Sequence, residues 1–258
     1  STEKFLTRIN KLGQPTRITV MAGMSNGFFT LSTNQVSVVG DFDKSGNLWI
    51  VVVPSLSVSA PSYVYRIDIN YQGTGVARAF PVFTDSNPSS ILRSIQDWTY
   101  INGSFYGVGI SSGSPWLFRM PGTAASISDV VSRGFVAPAP PGDSNYGAAW
   151  TNIDGRLYAG LNSGSIYEIE GYDISASSPA PKATLRLSNL GALAGNDGAS
   201  CPNATDPLAR VNYPYLRVKG SDVISGAVFA DGAANSSCDS RRNSYTLNGQ
   251  GSIKANGY

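Results

Sequence analysis

The 258-residue chain carries 19 basic and 17 acidic residues, a formal charge of +2, with Lys and Arg scattered rather than clustered. That balance gives no electrostatic case for nucleic acid or an anionic membrane surface. The sequence has no histidine, which excludes Ser-His-Asp and Cys-His catalysis, an imidazole base and His-ligated zinc or copper.

Charged residues make up only 14% of the chain, and 28 glycines accompany abundant Ser, Asn and Thr. This is the profile of a turn-rich extracellular β protein. In chain order, the first recognisable element is the strand Leu6-Thr7-Arg8-Ile9. It recurs as Val64-Tyr65-Arg66-Ile67, Leu117-Phe118-Arg119-Met120 and Ile166-Tyr167-Glu168-Ile169. Ahead of the later copies runs a second repeated pattern. Asp43-Lys44-Ser45-Gly46-Asn47-Leu48-Trp49 opens it, and Asp97-Trp98-Thr99-Tyr100-Ile101-Asn102-Gly103 aligns without a gap on Ala149-Trp150-Thr151-Asn152-Ile153-Asp154-Gly155 at an offset of 52. Each copy reads as strand, Asn/Asp/Gly turn, aromatic strand, second Gly turn and third strand. A hairpin repeat with a period of about fifty residues predicts a β-propeller.

With Gly46, Gly103 and Gly155 as equivalent turns, the chain holds about five blades (four to six) in a single 1–258 domain. The units fall at roughly 39–90, 91–142 and 143–190, with 196–258 and 1–38 forming the closing blade. Gly220 reads as a further equivalent turn. Leu6–Ile9 is a third-strand copy with no first or second strand before it, so strands around 214–230 are expected to complete that blade and close the ring. Between units lie Pro/Ser/Gly loops, where propellers usually carry their binding residues.

Cys201 and Cys238 stand in a Gly/Asn/Ser-rich stretch and are expected to form a disulfide, worth about 4 kcal/mol in the chain-entropy picture. Asn102-Gly-Ser, Asn203-Ala-Thr and Asn235-Ser-Ser are glycosylation acceptor sequences. No apolar run reaches the roughly 18 residues of a membrane span, and Ser1-Thr2-Glu3-Lys4 lacks a signal-peptide pattern. The chain therefore reads as a processed, secreted product.

Asp41, Asp43 and Ser45 have the Asp-x-Asp-x-Ser-Gly spacing that opens a calcium loop, although Val52 stands where the twelfth-position acid belongs. A plain structural hairpin is the competing reading, because the equivalent slots are the simple turns Asn102-Gly103 and Asp154-Gly155. Gly109-Ile-Ser-Ser-Gly113 fits a hydrolase elbow only in spelling, since that motif needs a strand-to-helix turn and a histidine. Asp68, Asp97, Asp143, Asp154, Asp173, Asp197, Asp206, Glu168 and Glu170 include no pair singled out by spacing for glycosidase or lyase work, and are expected to cap turns and pair with Arg66, Arg119 or Arg156. Trp49, Trp98 and Trp150 occupy repeated positions and are read as core. Trp116 and Tyr63, one residue before the third strand, are the candidate sugar platforms.

Asn196-Asp-Gly-Ala-Ser-Cys201 resembles the Asn-Asp-Gly-Ala-x-Cys signature of an uncharacterised secreted β-propeller family found in fungal and bacterial surface proteins. The resemblance extends to Gly40-Asp41-Phe-Asp43, Gly46-Asn-Leu-Trp49, Asp97-Trp98, Tyr146-Gly-Ala-Ala-Trp150, Leu157-Tyr158 and Ile166-Tyr167, covering residues 1–201. It implies a fold and an extracellular setting, and no catalytic residues. The functional expectation is a secreted, non-catalytic propeller without an obligate cofactor that binds carbohydrate or another cell-surface component. The alternatives are a structural or adhesive subunit that self-assembles through an incomplete blade or the C-terminal extension, and a carboxylate-based glycosidase or polysaccharide lyase.

Overall fold

The computed structural model describes residues 2–3, 5–9, 14–55, 59–141, 145–152, 154–175, 177–188, 216–218 and 251–253. The chain divides into two compact units, Ser1–Pro202 and Asn203–Tyr258. Among the described residues there are strands and three short 3-10 turns but no α-helix.

The first unit opens with β1 (Thr2–Glu3), β2 (Phe5–Ile9), β3 (Pro15–Ala22) and β4 (Thr30–Leu31). Three repeats follow. The first holds β5 (Gln35–Phe42), β6 (Leu48–Pro54), β7 (Ser62–Asp68) and β8 (Ala77–Asp85); the second holds β9 (Ile95–Ile101), β10 (Ser104–Ser111), β11 (Ser114–Pro121) and β12 (Val131–Gly134). The third holds β13 (Tyr146–Thr151), β14 (Leu157–Leu161), β15 (Ile166–Glu170) and β16 (Lys182–Leu187). Every repeat is a four-stranded antiparallel meander in chain order. In the second compact unit, β17 (Leu216–Val218) pairs with β18 (Gly251–Ile253).

Turn chemistry sets the hairpins. Asn102 and Gly103 both take positive φ (47° and 91°) between β9 and β10, as a two-residue turn of this hand requires. Ser112 and Gly113 repeat the device between β10 and β11, so the Gly109–Gly113 stretch is a hairpin rather than a nucleophile elbow. Gly109 is also needed as glycine for space, because a Cβ there would come within 1.6 Å of the Ser94 carbonyl oxygen.

The meanders stand side by side, with β5 against β9 and β9 against β13. The first meander, with Val20 and Phe29 on its other side, is therefore covered on both faces, which explains why β6 is an almost unbroken apolar run. Trp49, Val51 and Val53 face the second repeat and join Trp98, Phe105, Phe118 and Met120 in one cluster. Ile50 and Val52 face back toward Val20, Phe29 and Ile67. Between the second and third repeats lie Tyr106, Val108 and Leu117 with Tyr146, Leu157, Ala159 and Ile169. Burial of each such aliphatic side chain contributes about 1.5–3 kcal/mol.

Two expectations need correction. Leu6–Ile9 is a strand, but its partner is the following β3, and β3 then runs parallel to β8 over Val20–Ala22. Of the 214–230 stretch expected to complete a blade with it, the described residues Leu216–Val218 pair with β18. Local hairpin formation has the lower entropic cost of closure. The second correction concerns Trp150. In sequence it aligns with Trp98, yet Trp98 lies opposite Gly107 and Trp150 opposite Tyr158, a slip of one residue relative to the gapless alignment. One residue of register turns a side chain to the other face. Trp98 is 2% exposed between the first two repeats, whereas Trp150 is half-buried and stacks on Tyr158 at 5.7 Å.

An aromatic and arginine cleft between the first two repeats

One cross-strand pair recurs in all three meanders at the same place on the face turned toward the following repeat. It is Trp49 opposite Arg66, then Tyr106 opposite Arg119, then Tyr158 opposite Glu168. The aromatic comes from the second strand and the charge from the third, whose side chains alternate so that this position faces outward from the preceding apolar layer.

The surroundings of the pair differ from repeat to repeat. In the third, Glu168 is neutralised by Arg156 (3.3 Å) and by Arg186, whose Nε donates to Oε2 at 2.6 Å. In the second, Arg119 Nε donates to the Tyr106 hydroxyl at 3.2 Å and lies 3.6 Å from Asp173, to which Tyr106 itself donates at 3.1 Å. Tyr172 closes over this group with its ring edge-on to Tyr106 at 5.0 Å and its hydroxyl donating to the Gly155 carbonyl. Burial pushes both phenols above their usual range, which keeps them protonated donors.

In the first repeat nothing of the kind covers Arg66 among the described residues. Its guanidinium lies over the Phe80 ring at 5.8 Å and makes no ion pair among the described residues. Beside it opens a cavity of about 300 Å³ with Trp49, Arg66 and Phe80 on one wall and Gly122, Thr123 and Ala124 of the second repeat on the other. Trp49 is buried and held in place, since its indole N–H donates to Asp43 at 2.9 Å. Phe80 continues into a surface row in which Tyr71 packs against it at 5.5 Å and Arg78 lies over Tyr71 at 5.5 Å.

The calcium-loop candidates are built into the hairpin between β5 and β6. Asp43 Oδ1 accepts from the backbone N–H groups of Ser45 and Asn47, and Oδ2 accepts from the Asn47 amide and the Trp49 indole. Burial alone would raise this carboxyl, but the donors from Asn47, Trp49 and Ser45 hold it below the usual range. Asp41 points the other way in function. Its Oδ2 accepts from Tyr100 N–H at 2.6 Å and Thr99 Oγ1 at 3.0 Å across the junction, and burial pushes its carboxyl up. Among the described residues no three His, Cys, Asp or Glu side chains gather as a metal-holding group. Asp97 makes a like contact one repeat on, from two positions earlier in the register on the same strand face: its Oδ2 accepts from Ala149 N–H at 2.5 Å.

Trp116 and Tyr63 are both half-buried and lie in different places. Trp116 packs against the cluster between the first and second repeats, opposite Gly134, and Tyr63 stacks on Tyr65 at 5.9 Å beside the preceding cluster. They do not form one surface. Asn102 is exposed at its turn, whereas Asn203, Asn235, Cys201, Cys238, Gly220 and the acids Asp143, Asp197 and Asp206 lie outside the described residues. The residues that make the cleft, Arg66 and Phe80, were visible only as members of a repeated strand and its neighbour. What singles them out is the contrast among equivalent positions: among the described residues Arg119 and Glu168 find ionic partners and Arg66 does not.

The sequence pattern of the DUF6923 family, described as a repeat of unknown function, matches residues 1–203, and the chain belongs to that family. The matched stretch coincides with the first compact unit, Ser1–Pro202. No curated protein matches the chain.

Proposed function

We propose that this protein is a secreted, non-catalytic β-propeller that binds glycans or another extracellular surface component, its three described meanders being blades of a ring of about five (four to six). The observation that carries the reading is the 300 Å³ cleft between the first two repeats, at the lower end of the size of small-molecule sites, with aromatic walls and a guanidinium. The composition, the pair of cysteines and the three acceptor sequences support an extracellular setting. Binding is favoured over hydrolysis because the buried carboxylates have structural partners: Asp41 and Asp97 hold backbone N–H groups and Glu168 is paired with two arginines. The test is a broad glycan array and polysaccharide pull-down with the purified chain. Retention of one or a few related glycans supports the reading, and silence across the panels overturns it.

A second reading, self-assembly, is favoured by β16, the outer strand of the third meander, which exposes Leu185 (50%) and Leu187 (38%). A strand left unpaired on one side among the described residues can be extended by another chain. Light scattering at increasing concentration decides it, and a monomer throughout removes it.

A further inference from the structure

The cleft between the first two repeats and the junction between the second and third are the same place in consecutive copies, and only one of them is filled. Third strand and following loop align as Arg119-Met-Pro-Gly122-Thr123-Ala124 and Glu168-Ile-Glu-Gly171-Tyr172-Asp173-Ile174. Ala124 and Ile174 are equivalent anchors, each buried in the cluster shared with the preceding repeat. Between the glycine and the anchor, the third repeat inserts Tyr172 and Asp173, which deliver a ring against Tyr106 and a carboxylate beside Arg119. The second repeat supplies only Thr123 at that point. Trp49 and Arg66, the counterparts of Tyr106 and Arg119, are therefore left facing a cavity where the fold elsewhere places a ring and a carboxylate.

We infer that this cleft takes an acidic sugar, a uronate whose ring packs beside Phe80 above the buried Trp49 and whose carboxylate is held by Arg66, in the place that Tyr172 and Asp173 fill one repeat later. The inference rests on the glycan-binding reading above and narrows its substrate class. A uronate joins a ring with an apolar C–H face to a carboxylate in a single residue, and the planar guanidinium is suited to bidentate carboxylate recognition. Thr123 borders the same cavity and offers a hydroxyl to match those of a sugar.

Titration calorimetry of the whole 258-residue chain separates the outcomes, with trigalacturonate, a neutral trisaccharide of the same length and the peptide Gly-Tyr-Asp-Gly as probes. Trigalacturonate is expected to bind at one site, and R66Q is expected to weaken it by about tenfold or more, the loss of a charge-assisted contact. K182Q removes the same charge from an exposed strand elsewhere and is expected to leave affinity unchanged. T123Y, which places a ring where Tyr172 stands in the third repeat, is expected to abolish binding while the protein still melts cooperatively. Equal binding of the neutral sugar with no effect of R66Q overturns the acidic-sugar inference and leaves glycan binding standing. Tight binding of the peptide without the uronate overturns it in favour of a protein partner. A chain that retains no glycan on a broad array overturns the reading beneath it.

Discussion

The two junctions between successive repeats are built from one plan and finished differently. Both have a buried aromatic from the second strand, an arginine opposite it on the third, and a carboxylate from the first strand reaching backbone N–H across the gap. The junction between the second and third repeats closes on itself through Tyr172 and Asp173; that between the first and second stops at Thr123 and leaves Arg66 over Phe80. The difference teaches that a repeated framework can keep its packing constant while a loop of two or three residues decides whether a position is structural or available. An arginine whose counter-charge is internal contributes to the scaffold, and one without it is free to meet a ligand.

The comparison breaks first at its floor. Trp49→Ala and Tyr106→Ala should each cost about 3–5 kcal/mol in urea denaturation, since both rings are buried. A large loss for one and a negligible loss for the other would show that the positions are not equivalent. Next come the carboxylates that cross the gaps. Asp97→Ala should cost about 1–3 kcal/mol, because it leaves the buried Ala149 N–H without its acceptor, and Asp41→Ala should cost less because Asp41 is only half-buried. Equal values would mean that burial does not set the strength of these contacts.

A smaller effect distinguishes the Asp43 hairpin, which has no counterpart in the second repeat. The Asp43 carboxyl is held below its ordinary 3.8, so its contribution is fully present above that value and is lost as pH falls through the lowered one. The stability gap between the native chain and Asp43→Asn should therefore shrink in that acid window, as followed by thermal melts across pH. A gap independent of pH would show that the carboxylate charge is not what matters. The smallest expected effect is Asp173→Ala. Its side chain is 82% exposed, so the Arg119 pair should be worth about 0–1 kcal/mol. Should the melt fall by many degrees, the second junction depends on that charge and the contrast with Arg66 is structural rather than functional.

Much of this architecture is legible in the residues. The turn Asn102-Gly103 and the recurring third strands sit where β9 to β11 and β7, β15 are found, because positive-φ turns and alternating apolar strands leave a local signature. The environment of Trp150 is not legible. Its letter matches Trp98, but the loop between β13 and β14 is longer than the Asn102-Gly103 turn, and pairing slips by one residue. Register is a property of two strands and the turn between them, so a gapless alignment cannot carry it. The bulges also escape the sequence. β5, β9 and β13 each skip one residue in pairing with the next strand, at Val38, Gln96 and Gly147, three side chains with nothing in common. Gln96 shows what such a bulge re-aims: its amide reaches Asn145 and the Tyr146 N–H of the neighbouring repeat. The open cleft was hidden for a different reason. The contrast between Thr123 and Tyr172-Asp173 is plain in the aligned loops, but its meaning depends on each loop lying over the preceding repeat.

The carboxylates at the junctions also make each joint one-sided. Asp41 and Asp97 are the specific partners, while what both grip, Tyr100 N–H and Ala149 N–H, is main chain that almost any residue would present, the Thr99 hydroxyl adding a side-chain contact at Asp41. A copy can therefore be gained, lost or exchanged behind such a joint without a matching change in the newcomer, much as a coupling with its hook on the leading carriage accepts any following one. The onward face of β13 carries Ala148 and Trp150 where the earlier copies carry an acid, so among the described residues the third copy has no such hook.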